Sequence, residues 1–162
     1  MPKLRYGVVG VGGIGRHHAE VASKVEELEL VAVADVVEER AKEVAERLNA
    51  RAYTNYVDML ERENLDVVSV CTPHPTHAEI AIEAMKRGVN VLVEKPMAAT
   101  VGQCLAMIRE AEKRCVKLGV VFQNRFEPRL RKAKSITASG ELGEVYRALL
   151  RYGTYRDMAY FR

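Results

Sequence analysis

The stretch Tyr6-Gly7-Val8-Val9-Gly10-Val11-Gly12-Gly13-Ile14-Gly15 decides the fold. Its first half is a short apolar run of the kind that forms a buried strand. Its second half has the spacing G-x-G-x-x-G, with Gly10, Gly12 and Gly15 as the spaced glycines and Val11, Gly13 and Ile14 between them. Residues 16–24 then have helical character. A strand that turns tightly into a helix uses such glycines for three reasons. The first permits the sharp turn, the second lets the backbone approach a pyrophosphate, and the third lets helix pack closely on strand. The helix N-terminus adds unpaired N–H groups that attract an anion. Glycine-rich turns are common, so the spacing takes its meaning from what surrounds it.

The surroundings alternate strand and helix. Residues 28–34 form a continuous apolar run, as in a strand buried on both faces. The run ends at Asp35, 20 residues after Gly15. An acidic side chain there accepts the ribose hydroxyls of an adenosine and repels a 2′-phosphate. Val36 and Val37 follow, with no adjacent arginine, so NAD is favoured over NADP. Asp35 also suits the N-cap of a helix expected over residues 37–48. A short strand is expected over 51–53, and a helical turn over 56–62 with Val57 and Leu60 inward. A buried strand over 66–71 leads into Thr72-Pro73-His74-Pro75-Thr76-His77, whose prolines exclude helix. Thr76 and Glu79 have capping-box spacing for a helix that ends at Gly88. Residues 89–93 form another strand, followed by Glu94-Lys95-Pro96. Thr100 and Gln103 form a second capping box, for a helix to about residue 118. Leu105, Ile108, Ala111, Cys115 and Leu118 make its inward stripe. A last strand covers 120–122. This alternation requires an α/β, Rossmann-type doubly wound parallel sheet. Ligands bind such sheets at the carboxyl ends of the strands. Residues 10–15, Asp35, 72–77, 94–96 and 123–125, the last including Asn124 and Arg125, all fall there.

Bulk composition agrees with this reading. The 162 residues are 48% hydrophobic and 29% charged, enough for one well-buried core and part of a second. No apolar run approaches the roughly 18 residues of a membrane span. The N-terminus runs straight into a strand, so no signal peptide is expected. Cys71, Cys104 and Cys115 show no C-x-x-C spacing, and reduced thiols in a cytoplasmic protein are the economical reading. Residues 1–122 carry 16 Lys and Arg against 18 Asp and Glu; residues 123–162 carry 9 against 4. The basic residues concentrate in Arg125, Arg129, Arg131, Lys132 and Lys134. With few aromatics among them they read as a solvated helix face, and no nucleic-acid partner is expected. They slightly favour an anionic substrate over a neutral one.

Residues 123–162 change character: a helix over 127–138, a turn at Gly140-Glu141-Leu142-Gly143, and a strand over 145–152. One helix and one strand cannot bury a core of their own. The expected organisation is a dinucleotide-binding domain over 1–122 and the opening of a second, incomplete α/β domain over 123–162.

The chemistry-bearing side chains narrow the function. No nucleophile elbow or Cys–His pair is supported. His74 and His77 have a chelating spacing but no third ligand, so no metal site is expected. His77 reads as part of the cofactor-edge loop, and His17 and His18 as ordinary packing or surface residues. Lys95, held between Glu94 and Pro96 at a strand's carboxyl end, can hydrogen-bond a substrate hydroxyl and share its proton as hydride leaves carbon. A structural Lys–Glu pair is the competing reading of the same residues.

The glycine motif, Thr72-Pro73 with His77, and Glu94-Lys95-Pro96, in this order, resemble the Gfo/Idh/MocA oxidoreductases. The resemblance covers residues 3–126 and continues through residues 140–145. It implies a Rossmann domain that binds NAD(H) or NADP(H), then an α/β domain whose largely antiparallel sheet shapes the substrate site and often an oligomer interface. It implies hydride transfer between the nicotinamide and a secondary alcohol of a sugar, inositol or nucleotide-sugar, with Lys95 as the catalytic lysine. It also implies a homo-oligomer for the full-length protein. The family's Asp-x-x-x-His pair has no match here, because Asp157 is followed by Phe161 at the histidine position, and Asn90 stands where histidine is frequent. The chain is therefore expected to hold the cofactor half of an active site and to turn over no polyol alone. A non-catalytic dinucleotide-binding sensor is the alternative.

Overall fold

Strand β1 (Leu4–Val9) lies in the middle of a six-stranded sheet, and its last four residues are buried. The computed structural model describes residues 2–155, 157 and 158; Phe161 lies outside the described residues. In chain order the elements are β1, α1 (Gly13–Ala22), β2 (Leu28–Ala34), α2 (Glu38–Leu48), β3 (Arg51–Tyr53), α3 (Tyr56–Arg62) and β4 (Val67–Val70). They continue with α4 (His77–Lys86), β5 (Asn90–Val93), α5 (Val101–Arg114), β6 (Leu118–Val120) and α6 (Pro128–Ala138). Sheet order is β3-β2-β1-β4-β5-β6, and every pair is parallel. This is the doubly wound order, in which the chain moves outward from β1 first one way and then the other.

Alternation along each strand supplies two cores. Tyr6 and Val8 of β1 join Ala19, Ala22, Val33, Val44 and Ala45, so α1 and α2 cover one face. Val9 joins Met59, Ala81, Met85, Val91 and Met107, so α3, α4 and α5 cover the other. Coverage of both faces explains the unbroken apolar strands, since neither side meets water. Asn90 joins the starts of β4, β5 and β6: its Nδ2 donates to the Asp66 carbonyl at 2.8 Å, and its Oδ1 accepts from the Lys117 N–H at 2.9 Å.

Five local expectations are corrected. Thr76 makes no capping bond; its hydroxyl turns back to Thr72 Oγ1 (2.7 Å) and the Pro73 carbonyl (2.8 Å). The segment before it is a 3-10 turn, His74–Thr76, which tolerates Pro75 because a proline in the first turn gives up no needed N–H. Helix α5 stops at Arg114, where Cys115 takes the left-handed conformation with φ 55°, so Leu118 belongs to β6. The α5 stripe also faces differently: Met107 and Ala111 are buried, with Cys104 packed beside them, while Leu105 and Ile108 are 46% and 42% exposed. Finally, residues 145–152 form no strand. The Thr100–Gln103 capping box is present in both directions.

The chain divides into two units, residues 1–122 and 123–162. Within the second, a 3-10 turn (Gln123–Phe126) precedes α6, and Arg131 stacks over the Phe126 ring at 5.4 Å. No residue of α6 is buried, and the basic residues on it are exposed.

Candidate cofactor site

Where β1 ends, Gly10 takes φ +83°, a conformation that L side chains rarely adopt. A side chain there would also meet Thr72 Cγ2 and the Cys71 carbonyl within 2.8–2.9 Å. Gly15 sits directly against this turn. A Cβ on it would lie 1.7 Å from the Gly10 carbonyl oxygen, so α1 packs backbone to backbone on the loop. Gly12 and Gly13 show the opposite environment, with nothing within 4 Å of a Cβ. The loop is thus closed toward the sheet and open at the start of α1. That is where a phosphate can reach the helix N–H groups.

Asp35 stands at the next strand's carboxyl end and is 7% exposed. Its Oδ2 accepts from the Val11 N–H at 2.9 Å, and its Oδ1 from the Val37 N–H at 3.0 Å. The carboxylate therefore ties the glycine loop to the end of β2 while facing the cavity. Helix α2 starts at Glu38 with Val37 at its N-cap, so Asp35 holds the turn before the helix. One expectation needs correction. An arginine does stand beside Asp35: Arg40, one helical turn on, places Nη1 3.4 Å from Oδ1.

A cavity of about 580 Å³ opens at this edge, within the usual size of small-molecule sites. Gly10, Gly12, Asp35, Val36, Thr72 and Pro73 all line it. Six residues singled out from scattered positions of the sequence thus meet on one wall. Its far wall holds residues that the sequence did not flag, chiefly Thr54, Tyr56, Glu79 and Ile80. Cys71 is also on the wall. Burial, and secondarily the Glu94 carboxylate, push its thiol up to about 12, so it stays protonated and inert.

The other expected residues take supporting places. His77 is fully buried, and its ring spans two loops: Nδ1 lies 2.9 Å from the Pro96 carbonyl and Nε2 2.8 Å from the Thr72 carbonyl. It locks residues 72–77 to residues 94–96, and both ring nitrogens are occupied by backbone. Gly13 and Ile14 open α1 beside the cavity lining. Lys95 and Pro96 are exposed after β5, two strands from β1 at the same sheet edge, and the peptide bond between them is cis. Asn124 and Arg125 belong to the second unit, in its 3-10 turn.

Glu94 is 6% exposed and faces inward. Its Oε2 accepts from the Lys95 N–H at 3.0 Å, and its Oε1 lies 3.2 Å from His18 Nε2. His18 Nδ1 lies 3.0 Å from Ser69 Oγ, which meets the Tyr6 hydroxyl at 2.5 Å. Burial raises the Tyr6 phenol above its ordinary range, so it remains a neutral hydrogen-bonding group. A buried polar chain thus runs from β1 through β4 and α1 to the peptide of Lys95. His18 is no ordinary packing residue. Its signal was present in the helical period, because residues 15, 18, 19 and 22 share one face of α1, and Gly15, Ala19 and Ala22 are its buried residues.

A family model described as "Oxidoreductase family, NAD-binding Rossmann fold" (GFO_IDH_MocA) matches residues 4–122. The chain is 34% identical over 144 residues to the myo-inositol 2-dehydrogenase of Thermotoga maritima, covering 88% of this chain and 43% of that protein. It superposes with a TM-score of 0.85 and 32% identity on the WlbA dehydrogenase of Bordetella pertussis, solved with NADH and UDP-GlcNAcA, over 89% of this chain and 44% of the other. GenD2 from gentamicin A biosynthesis, solved with NAD, gives a TM-score of 0.84 and 32% identity over 87% of this chain and 40% of its own. The chain spans less than half the length of these relatives. With the glycine turn, the acidic second-strand terminus and the sheet order all in place, the chain belongs to the Gfo/Idh/MocA oxidoreductases, whose Rossmann fold binds NAD.

Proposed function

We propose that this chain supplies the cofactor half of an NAD-dependent dehydrogenase that moves hydride between nicotinamide and a secondary alcohol of a sugar, inositol or nucleotide-sugar. The observation that carries the reading is the cavity wall on which Gly10, Gly12 and Asp35 meet at the carboxyl ends of β1 and β2. The cofactor, when bound, accepts or donates the hydride. The chain's own residues orient it and handle the proton. The open N-terminus of α1 receives the pyrophosphate, and Asp35 accepts from the ribose hydroxyls with the lone pairs that Val11 and Val37 leave. Thr72 and Pro73 line the same cavity beside them. Lys95, whose peptide Glu94 and His18 hold, stands at the same edge to hydrogen-bond the substrate hydroxyl and take its proton.

Asp35 also favours NAD over NADP, and Arg40 does not reverse this while the two are paired. Residues 123–162 form the start of the substrate domain, and their net positive charge favours an anionic substrate such as a nucleotide-sugar. The test is calorimetric titration of NAD and NADP into the wild-type chain and Asp35→Asn. NAD binds the wild type more tightly than NADP, and the margin shrinks in the variant. Tighter NADP binding to the wild type would sink the cofactor assignment.

A further inference from the structure

We infer that Glu79, held by Tyr56, reads the 6-amino group of the adenine ring and makes this site selective for a 6-aminopurine dinucleotide. The inference rests on the dinucleotide reading above. The covalent order of the ligand fixes what each stretch of the cavity meets. A pyrophosphate at Gly12 and a ribose at Asp35 carry the base past Asp35, toward the end of the cavity built by Val36, Thr54, Tyr56, Glu79 and Ile80. Two of these offer apolar surface for the faces of a flat ring. Val36 is 90% exposed at the end of β2, and Ile80 is 5% exposed on α4. The charged group among these five is the Glu79 carboxylate, beside the hydroxyls of Thr54 and Tyr56.

A carboxylate accepts hydrogen bonds and donates none. The Tyr56 hydroxyl donates to Glu79 Oε1 at 3.4 Å. Burial, then the charge of Glu79 and Glu83, raise the Tyr56 phenol above its ordinary range, so it stays a donor. This contact occupies one of about four lone-pair positions on Glu79. Glu79 also lies in the first turn of α4, where the helix dipole favours a carboxylate. An amino group at purine position 6 donates to such an oxygen. A carbonyl at the same position, as in hypoxanthine or guanine, presents a lone pair to it and is rejected, because a hydrogen bond to a charged group is replaced by repulsion.

The experiment is calorimetric titration of NAD and nicotinamide hypoxanthine dinucleotide into the wild-type chain, Glu79→Gln and Tyr56→Phe. Glu79 is an exposed side chain, and unchanged thermal midpoints check that the variants fold. The wild type binds NAD at least tenfold more tightly than the hypoxanthine analogue. In Glu79→Gln the ratio falls to about twofold or less, since an amide can turn either a donor or an acceptor toward the base. Tyr56→Phe lowers the ratio by a smaller factor. Equal affinity of the wild type for both dinucleotides, or an unchanged ratio in Glu79→Gln, overturns the role of Glu79 while leaving the dinucleotide reading intact. Failure of both dinucleotides to bind the wild type overturns both.

Discussion

Replacing Gly15 and Gly12 by alanine, one at a time, separates what the glycine loop does for folding from what it does for binding. In Gly15→Ala the new methyl would start 1.7 Å from the Gly10 carbonyl oxygen and 2.8 Å from the Gly10 carbonyl carbon. An ordinary carbon–oxygen contact is about 3.3 Å, so α1 and the loop must part by about 1.5 Å. Both colliding groups are backbone, and no flexible side chain can yield. Overpacking a close-packed interior costs about 1–3 kcal/mol, and this site belongs at the upper end. At about 2–4 °C per kcal/mol for a chain of this size, the midpoint should fall by about 6–12 °C. In Gly12→Ala the methyl meets nothing within 4 Å, and φ is −66°, which alanine adopts freely. Its midpoint should stay level or rise slightly, because alanine restricts the unfolded chain. The same methyl stands where the pyrophosphate must approach, so NAD affinity should fall at least tenfold, about 1.4 kcal/mol or more. Thermal unfolding by circular dichroism and calorimetric NAD titration read the two effects separately. A Gly15→Ala midpoint within 1–2 °C of wild type would refute the packing argument. Undiminished NAD binding by Gly12→Ala would refute the placement of the pyrophosphate.

Asp35→Ser should raise NADP affinity as well as lower NAD affinity, because Arg40 loses its 3.4 Å partner and can meet a 2′-phosphate; titration of both cofactors checks this, and unaltered NADP binding would contradict it. His18→Ala should lower stability by about 1–3 kcal/mol by leaving the buried Glu94 carboxylate and Ser69 hydroxyl each short of a partner; a chemical denaturation midpoint equal to wild type would contradict the network. His77→Leu should be more damaging than His74→Leu, since it removes the buried ring that bridges the Thr72 and Pro96 carbonyls, and the same denaturation series compares them. Cys71, raised from 9.0 to about 12, contributes stability that is full below about pH 9 and is lost as pH climbs toward 12. At pH 8, iodoacetamide should therefore modify exposed Cys115 well before Cys71, as mass spectrometry would record.

The sheet was legible because its signals are local and redundant. Apolar runs at residues 28–34 and 66–71, each followed by a polar or glycine-rich loop, state strand and carboxyl end together. The cavity wall was legible for the same reason, since Gly10, Gly12, Asp35 and Thr72 all sit just past a strand. The far wall was not, because Tyr56 and Glu79 begin helices whose relative position depends on tertiary packing. The turn at Cys115 was missed because a non-glycine residue takes φ 55°, and no residue type announces that. The α5 stripe was misread because two apolar stripes compete on that helix, and the sequence period does not say which one meets the sheet. Thr76 and Glu79 have capping-box spacing, yet Thr76 bonds back into the proline loop and Glu79 meets Tyr56. Residues 145–152 carry strand-forming types, but a strand needs a neighbouring strand to satisfy its backbone groups, and none of the described residues supplies one.

In the proposed function one dinucleotide lies across this sheet edge, with its adenosine half at Asp35 and its nicotinamide half toward Lys95. Backbone amide NMR of the chain titrated with AMP, nicotinamide mononucleotide and NAD tests it most directly. AMP should shift the resonances of Gly12, Asp35, Val36 and Glu79. Nicotinamide mononucleotide should shift that of Lys95, and only NAD should shift both sets. Shifts from NAD that spare Gly12 and Asp35, or that never reach Lys95, would contradict the account.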